Sequence, residues 1–403
     1  MIEDRSFLEP DLIEDPHPYL SRLRTEDPVH WSEHHQGWML TRYDDVVAAF
    51  RDPRLSSARV GSLLPYDLSA EEREDFSPMF RLLANWMVFK DPPDHVHLRR
   101  LARFAFTTRI VDGWRPMVAA VVDELIDGLE RSGRADFVPS FAYALPATVI
   151  AHVIGVPPED FQEFKASADA IAPLIFGGAV ADRRERAKNG LIQLEAYCRR
   201  LLARAKRERS ETLLGTLSRA EEQGDVLSDD EVIATCILLL FAGHETTTSL
   251  LANGLYSLER APEEKRRLGA EPSLARSAVE ELLRYEGPSK GQVRIAVEDL
   301  ELRGLSVRRG QRVFLVQAAA NRDPERFRDP DRLDIGRADN DHLGFGYGLH
   351  HCLGAPLARL EGEIALRRLA ERLPGLRVTE SRPRWRESIL ARSITSLPVA
   401  VSA

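Results

Sequence analysis

Residues 342–356 read HLGFGYGLHHCLGAP, and this stretch decides the fold. Its alternating glycines permit backbone conformations that other residues avoid, and they let a flat ligand approach the main chain closely. An apolar helix is predicted after Cys352, with Pro356 in its first turn. A cysteine at a helix N-terminus faces unpaired N–H groups and the positive end of the helix dipole, which favours a metal-binding thiolate. From this loop alone, a thiolate ligand and an incidental buried cysteine both remain open.

Other interpretations of the loop and of its neighbours fail on spacing. The glycines do not form G-x-G-x-x-G, because Leu349 and His351 interrupt the pattern, so a dinucleotide site is unsupported. Three adjacent residues such as 350–352 cannot surround one tetrahedral zinc ion. A zinc protease is excluded as well, because Thr248 stands where the second histidine of a motif starting at His244 must be.

A long central helix is the clearest predicted element. Ser228 and Glu231 have the spacing of a capping box, and the apolar pattern continues to about Leu258. Residues 236–242 are apolar on every face, which is typical of a helix that passes through the middle of a protein. The carboxylate of Glu245 and the hydroxyl of Thr246 follow directly, so a functional site is expected there.

Four motifs together resemble the cytochrome P-450 superfamily, of the soluble bacterial type. Residues 345–354 are similar to its haem-thiolate loop, and residues 242–247, AGHETT, to the oxygen-activating part of its central helix. Residues 281–284, ELLR, match its E-x-x-R motif, and residues 91–100, DPPDHVHLRR, resemble its haem-contacting helix. The motifs occur in the family's order and span nearly the whole chain.

The resemblance implies a mainly α fold with small β-sheets, in which haem b lies between the long central helix and the cysteine loop and its following helix. Because the chain has no internal repeat and no long linker, we expect a single domain over residues 1–403. Helical periodicity dominates the sequence. Strand-like alternation is confined to residues 29–31 with 38–41, 293–307 with 313–316, and 389–401.

The resemblance assigns roles to individual residues. Cys352 is the expected metal ligand, and Cys198 and Cys236 are expected to be packing residues. Thr246 is expected to supply a hydrogen bond during oxygen activation and Glu245 to shuttle protons; alternatively, Glu245 forms a buried ion pair and Thr246 only packs. The expected cofactor-binding residues are His95, Arg99, Ala242, Gly243, Arg294, Phe345, Gly346, His350, Cys352 and Gly354.

Further residues are expected to shape the site without reacting. Glu281 and Arg284 lie three apart on one helix face and are expected to form a structural charge pair, with Arg337 as the third member and Arg332 as its rival. Four apolar residues are candidates for the substrate pocket: Trp86, Leu239, Ala242 and Ile389. Residues 59–90 resemble the family's variable lid, and a hinge is expected at Pro173 with residues 177–178.

Composition and the N-terminus limit the partners. The chain has 55 Lys and Arg residues and 63 Asp and Glu residues, and this net charge of −8 argues against nucleic acid as a binding partner. The start, MIEDR, has no basic region followed by an apolar run, so we expect no signal peptide or membrane anchor. We further expect the protein to be cytoplasmic and monomeric. Three widely separated cysteines fit a reducing compartment. Arg100, Arg103 and Arg109 are candidates for a face on which an acidic redox partner docks.

The resemblance implies a monooxygenase that uses substrate-H, O2, two electrons and two protons to form substrate-OH and water. A lipophilic substrate of secondary metabolism, hydroxylated or epoxidised, is expected. No nucleotide-binding fingerprint is present, so electrons are expected from a separate ferredoxin and its reductase. Two alternatives remain: a peroxide-driven peroxygenase, and a haem-thiolate protein that binds a ligand without turnover. Glu245 and Thr246 favour activation of O2 over both.

Overall fold

The structure, a computed structural model, describes residues 2–60, 69–177, 182–222 and 224–401. Most of these residues are helical. The helices are α1 (Pro10–Glu14), α2 (His17–Glu26), α3 (Tyr43–Arg51), α4 (Ala70–Ala84), α5 (Asp94–Ala102), α6 (Thr108–Gly113), α7 (Arg115–Ser132), α8 (Ala144–Ile154), α9 (Phe161–Asp169), α10 (Ala172–Ile175), α11 (Arg183–Glu208), α12 (Leu213–Ser218), α13 (Asp229–Arg260), α14 (Pro262–Ala270), α15 (Ala275–Glu286), α16 (Gln317–Ala320) and α17 (Ala355–Arg372).

The strands are short, as the sequence predicts. They are β1 (Val29–Ser32), β2 (Gly37–Leu40), β3 (Leu55–Ser56), β4 (Arg134–Asp136), β5 (Glu221–Glu222), β6 (Asp225–Val226), β7 (Gln292–Ala296), β8 (Leu300–Leu302), β9 (Leu305–Val307), β10 (Arg312–Leu315), β11 (Leu376–Val378), β12 (Arg384–Trp385), β13 (Ile394–Ser396) and β14 (Pro398–Val401). In the largest sheet, β10 pairs in parallel with β2 and antiparallel with β7, and Arg294 lies opposite Val313. A second sheet has the order β11-β14-β4.

The long helix α13 confirms the predicted central element. Ser228 and Glu231 form the predicted capping box, because the backbone N–H of each residue donates to the side chain of the other. Among the described residues, α13 alone is long and apolar enough to cross a membrane, yet 83% of its most apolar 18-residue window is buried inside the protein. Such burial is typical of the core helix of a globular protein.

Contacts divide the chain into two compact units, each assembled from separate segments. Unit 1 comprises Met1–Leu55, Asp112–Pro146 and Glu245–Ala403, and unit 2 comprises Ser56–Val111 and Ala147–His244. Helix α13 contributes its first half to unit 2 and its second half to unit 1. The single domain over residues 1–403 stays a prediction.

Unit 1 is organised around α15, which packs against α17, which in turn packs against α7. Apolar residues from α13, α14, α15, α17 and the cysteine loop form one buried cluster between these elements. Its members include Leu250, Leu268, Val279, Leu282, Leu283, Phe345 and Leu366. The predicted thiolate loop therefore rests on a rigid helical layer.

Unit 2 is organised around α11, which packs against α4, α9 and α12. Cys198 on α11 and Cys236 on α13 are fully buried free thiols. Burial raises the pKa of the Cys198 thiol to about 12 and raises the pKa of the Cys236 thiol well above its usual value. Both thiols are therefore held neutral, as expected of packing residues.

The lid segment contains more regular structure than the sequence suggests. Residues 70–84 form α4, a helix of 15 residues, which begins at a capping box between Ser69 and Glu72. Pro78 lies inside this helix, and its presence is what masked the helical pattern. Residues 61–68 of the lid and residue 178 of the expected hinge lie outside the described residues, whereas Gly177 adopts a positive φ of 70°.

One lysine is buried against an apolar cluster of unit 1. Lys290 is 2% exposed, its Nζ lies 5.3 Å from the centre of the Phe7 ring, and it donates to the carbonyl of Ser388 at 2.5 Å. Burial lowers the pKa of the Lys290 ammonium from 10.5 to about 7; the charge of Arg392 adds to this shift and Glu286 opposes it. The folded state therefore favours the neutral amine.

We predict that Lys290→Met stabilises the protein more in mild acid than in base. The unfolded chain binds a proton at this site up to a pKa of 10.5 and the folded chain only up to about 7, so the free energy of unfolding falls as the pH drops through that window. The substitution removes this dependence. The change that it causes in the free energy of unfolding should therefore differ by about 3 kcal/mol between about pH 6.5 and about pH 9.5. Urea unfolding at both values measures it, with the exposed Lys206→Met as control. An equal effect at both values would contradict the prediction.

Candidate active site

The loop before α17 presents Cys352 at its end. The Cys352 thiol is exposed, and Gly354 is the N-cap of α17. The backbone N–H of Cys352 donates to the carbonyl of Phe345 at 2.9 Å, which closes the loop on itself. Gly346 and Gly348 have φ of 72° and 68°, in the left-handed region that a side chain would strain. The loop therefore holds an accessible thiol next to bare backbone.

A buried cation lies beside this loop. Arg294 on β7 is 3% exposed and donates to Oε1 of Gln292 at 3.2 Å. A Cβ at Gly346 would lie 3.1 Å from Nε2 of the same Gln292, so the loop and the arginine share one neighbour. A guanidinium in an apolar setting suits a carboxylate ligand. A thiol with a buried cation nearby fits a haem, whose iron accepts a thiolate and whose propionates are anionic.

A cluster of charged and polar side chains packs against Phe345, in the first part of the cysteine loop. Arg359 of α17 lies with its guanidinium carbon 4.5 Å from the centre of the Phe345 ring and donates twice to Glu280, at 2.7 and 2.9 Å. His342 contacts the same carboxylate at 3.1 Å. Burial disfavours the Glu280 carboxylate, but the hydrogen bonds from His342 and Arg359 outweigh it and hold the pKa of Glu280 at about 2. This cluster stabilises the position of Phe345.

The E-x-x-R pair forms a buried charge network. Arg284 donates through Nε and one terminal nitrogen to both oxygens of Glu281 at 2.8 Å, and both side chains are 0% exposed. Arg337 adds a third contact, from its Nε to Oε2 of Glu281 at 3.0 Å. Its rival Arg332 contributes only its backbone carbonyl, which accepts from Arg284 and from Arg337 at 3.2 Å. The geometry therefore favours Arg337 as the third member.

His350 is half-buried in the cysteine loop of unit 1, and the other predicted haem residues lie in unit 2. His95 and Arg99 are one turn apart on α5; His95 is 1% exposed and Arg99 is half-buried. Ala242 and Gly243 are half-buried on α13. A Cβ at Gly243 would lie 3.2 Å from Cγ1 of Ile150 on α8, so helix packing also requires a small residue at this position.

Three of the four predicted pocket residues belong to unit 2 as well. Trp86 is fully buried, and its ring stacks on Phe241 with centroids 5.7 Å apart. Phe241 directly precedes the predicted pocket residue Ala242 on α13, and Leu239 is 7% exposed on the same helix. The fourth, Ile389, is half-buried in the C-terminal part of unit 1.

The three arginines of the candidate docking face differ in exposure. Arg100 forms an ion pair with Asp225, which lies on the β5-β6 hairpin. Because that pair compensates its charge, Arg100 contributes little to the attraction of an acidic partner. Arg103 and Arg109 remain exposed at the end of α5 and on α6.

Glu245 and Thr246 lie at the start of the unit 1 half of α13. Glu245 is 7% exposed and Thr246 is half-buried. Oε2 of Glu245 lies 3.0 Å from a terminal nitrogen of Arg386, so the carboxylate forms an ion pair, one of the two roles that the sequence left open. A paired carboxylate can still relay protons, provided that its partner does not exclude solvent.

Sequence reasoning missed Gln292, Arg359 and Arg386. Gln292 accepts from Arg294, two residues away, whereas Arg359 and Arg386 contact Phe345 and Glu245 from other parts of the chain; none of the three belongs to a local motif. Ser249 could have been found, because it lies four residues after Glu245 on the same face of a predicted helix.

Comparisons with known proteins agree with this geometry. A family model for cytochrome P450 matches residues 181–373. The chain is 39% identical over 395 residues to vitamin D(3) 25-hydroxylase of Pseudonocardia autotrophica, covering 96% of this chain and 94% of that protein. It is 38% identical to cytochrome P450 monooxygenase PikC of Streptomyces venezuelae, covering 98% and 93%. A crystal structure of P450BioI in complex with acyl carrier protein ligated to hexadec-9Z-enoic acid matches with a TM-score of 0.90 and 33% identity, covering 97% of this chain and 99% of that one.

We predict that the network around Glu281 dominates the stability of unit 1. Arg284→Met should lower the free energy of unfolding by about 3–5 kcal/mol, because it leaves a buried carboxylate without its bidentate partner. Arg337→Met should cost less, since Arg284 remains in place. Urea unfolding measures both, and Arg328→Met, at a side chain 95% exposed, is the matched control. Losses for Arg284→Met no larger than those of the control would show that the network is not a stability centre.

Proposed function

Because this chain belongs to the cytochrome P450 family, we propose that it is a haem-thiolate monooxygenase that inserts one oxygen atom of O2 into a lipophilic small molecule of secondary metabolism. The family supplies the fold, the cofactor haem b and the enzyme class. The observation that carries the proposal for this chain is the exposed Cys352 thiol at the N-terminus of α17.

The haem would supply the oxygen-activating iron. Cys352 would bind that iron as a thiolate, and the N-terminus of α17 would favour its negative charge. Arg294, His350, His95 and Arg99 are the cationic residues that would neutralise the propionates. Phe345 and the glycines of the loop allow close approach of the flat ring to the backbone.

Glu245 and Thr246 manage the protons that the reaction consumes. With haem bound, Thr246 would donate a hydrogen bond from its hydroxyl, and Glu245 would pass on protons taken up from solvent. Ala242 and Gly243 keep the helix surface flat in front of these two residues. The presence of both groups favours reaction with O2 over a peroxide-driven reaction.

The substrate class follows from the pocket residues and from the relatives. The candidate pocket residues Trp86, Leu239, Ala242 and Ile389 are all apolar, which suits a guest with few polar groups. One relative is named for the hydroxylation of vitamin D(3), and a similar structure holds hexadec-9Z-enoic acid on a carrier protein. We infer that this chain also takes a lipophilic guest, by hydroxylation or epoxidation.

Electrons come from a separate ferredoxin and its reductase. The described residues contain no dinucleotide fingerprint, and Arg103 with Arg109 offers an exposed cationic face to an acidic partner. The enzyme acts as a cytoplasmic monomer with both partners in solution.

The carbon monoxide spectrum tests the thiolate. The reduced holoenzyme with carbon monoxide should show the long-wavelength Soret band of thiolate ligation, and Cys198→Ser should leave it unchanged because that thiol is buried in unit 2. Cys352→Ser should abolish the band. Retention of the band in Cys352→Ser would refute the assignment of the ligand, and so would its absence in the unmodified protein.

Thr246→Ala should divert electrons from product to hydrogen peroxide. Without the hydroxyl, O2 is reduced but not split, so the peroxide released per O2 consumed should rise several-fold. An oxygen electrode and a peroxide assay measure this with a plant-type ferredoxin, its reductase and hexadec-9Z-enoic acid. Thr235→Val is the control, because its hydroxyl is buried on the same helix. A peroxide fraction equal to that of the control would argue against the role of Thr246.

A further inference from the structure

One face of α13 carries a row of buried polar side chains. Glu245, Ser249 and Asn253 are four residues apart, a spacing that places them on the same face of a helix. They are 7%, 3% and 0% exposed. All three contact the C-terminal segment Arg386–Ile394, which the same unit contributes. The row therefore joins the proposed proton-shuttling residue to a part of the chain about 140 residues away.

The lower part of this row is a closed hydrogen-bond system. The hydroxyl of Ser249 donates to the carbonyl of Glu245 at 3.0 Å, so the hydroxyl of Ser393, 2.7 Å away, must donate to Ser249. Nδ2 of Asn253 donates to the carbonyl of Arg392 at 2.9 Å, and Oδ1 accepts from the N–H of Ile394 at 3.3 Å. These contacts hold the segment against the helix.

The upper end of the row is the ion pair between Glu245 and Arg386. The two side chains differ in exposure: that of Glu245 is 8% exposed and that of Arg386 is 30% exposed. The backbone N–H of Arg386 donates to the carbonyl of Ser393 at 2.8 Å, which aligns the arginine with the row. The guanidinium thus lies between a buried carboxylate and the solvent.

The segment does not depend on Arg386 for its position. Besides the serine and asparagine contacts, Arg392 donates to Glu286 at 2.7 Å, and Lys290 donates to the carbonyl of Ser388. Four anchors therefore hold the segment after Arg386. Because these four anchors already hold the segment, the ion pair between Arg386 and Glu245 is not needed for that purpose. Its effect is therefore sought on the Glu245 carboxylate.

We propose that Arg386 is a positioning residue for proton transfer: its ion pair fixes the buried carboxylate of Glu245 on the side of α13 from which protons arrive. This inference rests on the proposed function. The Glu245 side chain is buried, and the guanidinium of Arg386 pairs with its Oε2 at 3.0 Å. A relay group must keep its orientation from one transfer to the next, and this ion pair fixes the orientation of the carboxylate.

Arg386→Met tests this proposal in the holoenzyme. With excess reduced plant-type ferredoxin and hexadec-9Z-enoic acid, O2 consumption should fall about tenfold, part of the ~10²–10⁴-fold that a positioned acid or base contributes. The solvent isotope effect in D2O should rise, because proton delivery becomes slower than the other steps. Arg386→Lys should restore most of the rate. Arg384→Met, at an exposed arginine two residues earlier on the same hairpin, should have no effect.

Combination with Glu245→Gln separates positioning from structure. If Arg386 acts through Glu245, Arg386→Met adds no further loss of rate to Glu245→Gln, and a double-mutant cycle of urea unfolding gives a non-zero coupling between the two positions. An additive loss of rate, a zero coupling, or an unchanged isotope effect in Arg386→Met would each overturn the proposal. A holoenzyme that consumes no O2 at all would defeat the proposed function itself, whereas an active enzyme indifferent to Arg386→Met would defeat this inference alone.

Discussion

The position of the cysteine loop depends on the buried carboxylate of Glu281, which forms ion pairs with Arg284 and Arg337. Arg284 not only binds Glu281 but also donates to the carbonyl of Asn321 at 2.9 Å. The side chain of Asn321 in turn accepts from the backbone N–H of Leu343 at 2.7 Å, at the start of the loop. The charge pair is thus connected by two hydrogen bonds to the segment that ends at Cys352. The Cys352 thiol is exposed, whereas the charge pair behind its loop is buried and hydrogen-bonded.

The C-terminal half of α13 shows how one helix serves packing and chemistry together. Leu250 and Leu258 join the apolar cluster beneath the loop, while Glu245, Ser249 and Asn253 form the polar row against the C-terminal segment. Polar side chains on one face of a buried helix need hydrogen-bond partners. The C-terminal segment supplies those partners, and in doing so places Arg386 beside Glu245.

The sequence predicts those parts of the molecule that local spacing encodes. Cys352 follows from its glycine loop, the start of α13 from a capping box, and the pairing of Glu281 with Arg284 from their separation on one turn. Helix α4 was missed, since Pro78 inside it reads as a break. Arg386 and Lys290 could not be found, because their contacts join residues far apart in the chain and depend on how the C-terminal segment folds back. The pKa of Lys290 likewise depends on the groups that surround it in the fold rather than on its neighbours in sequence.

The central claim is that the sulfur of residue 352 is bound to the haem iron. X-ray absorption at the iron edge of the purified, resting holoenzyme tests it most directly, because the scattering of the coordinated atoms distinguishes sulfur from nitrogen and oxygen. We expect one sulfur in the first coordination sphere, lost on Cys352→Ser and kept on Cys236→Ser. A first sphere made only of nitrogen and oxygen, or a sulfur that persists when residue 352 is serine, would contradict it.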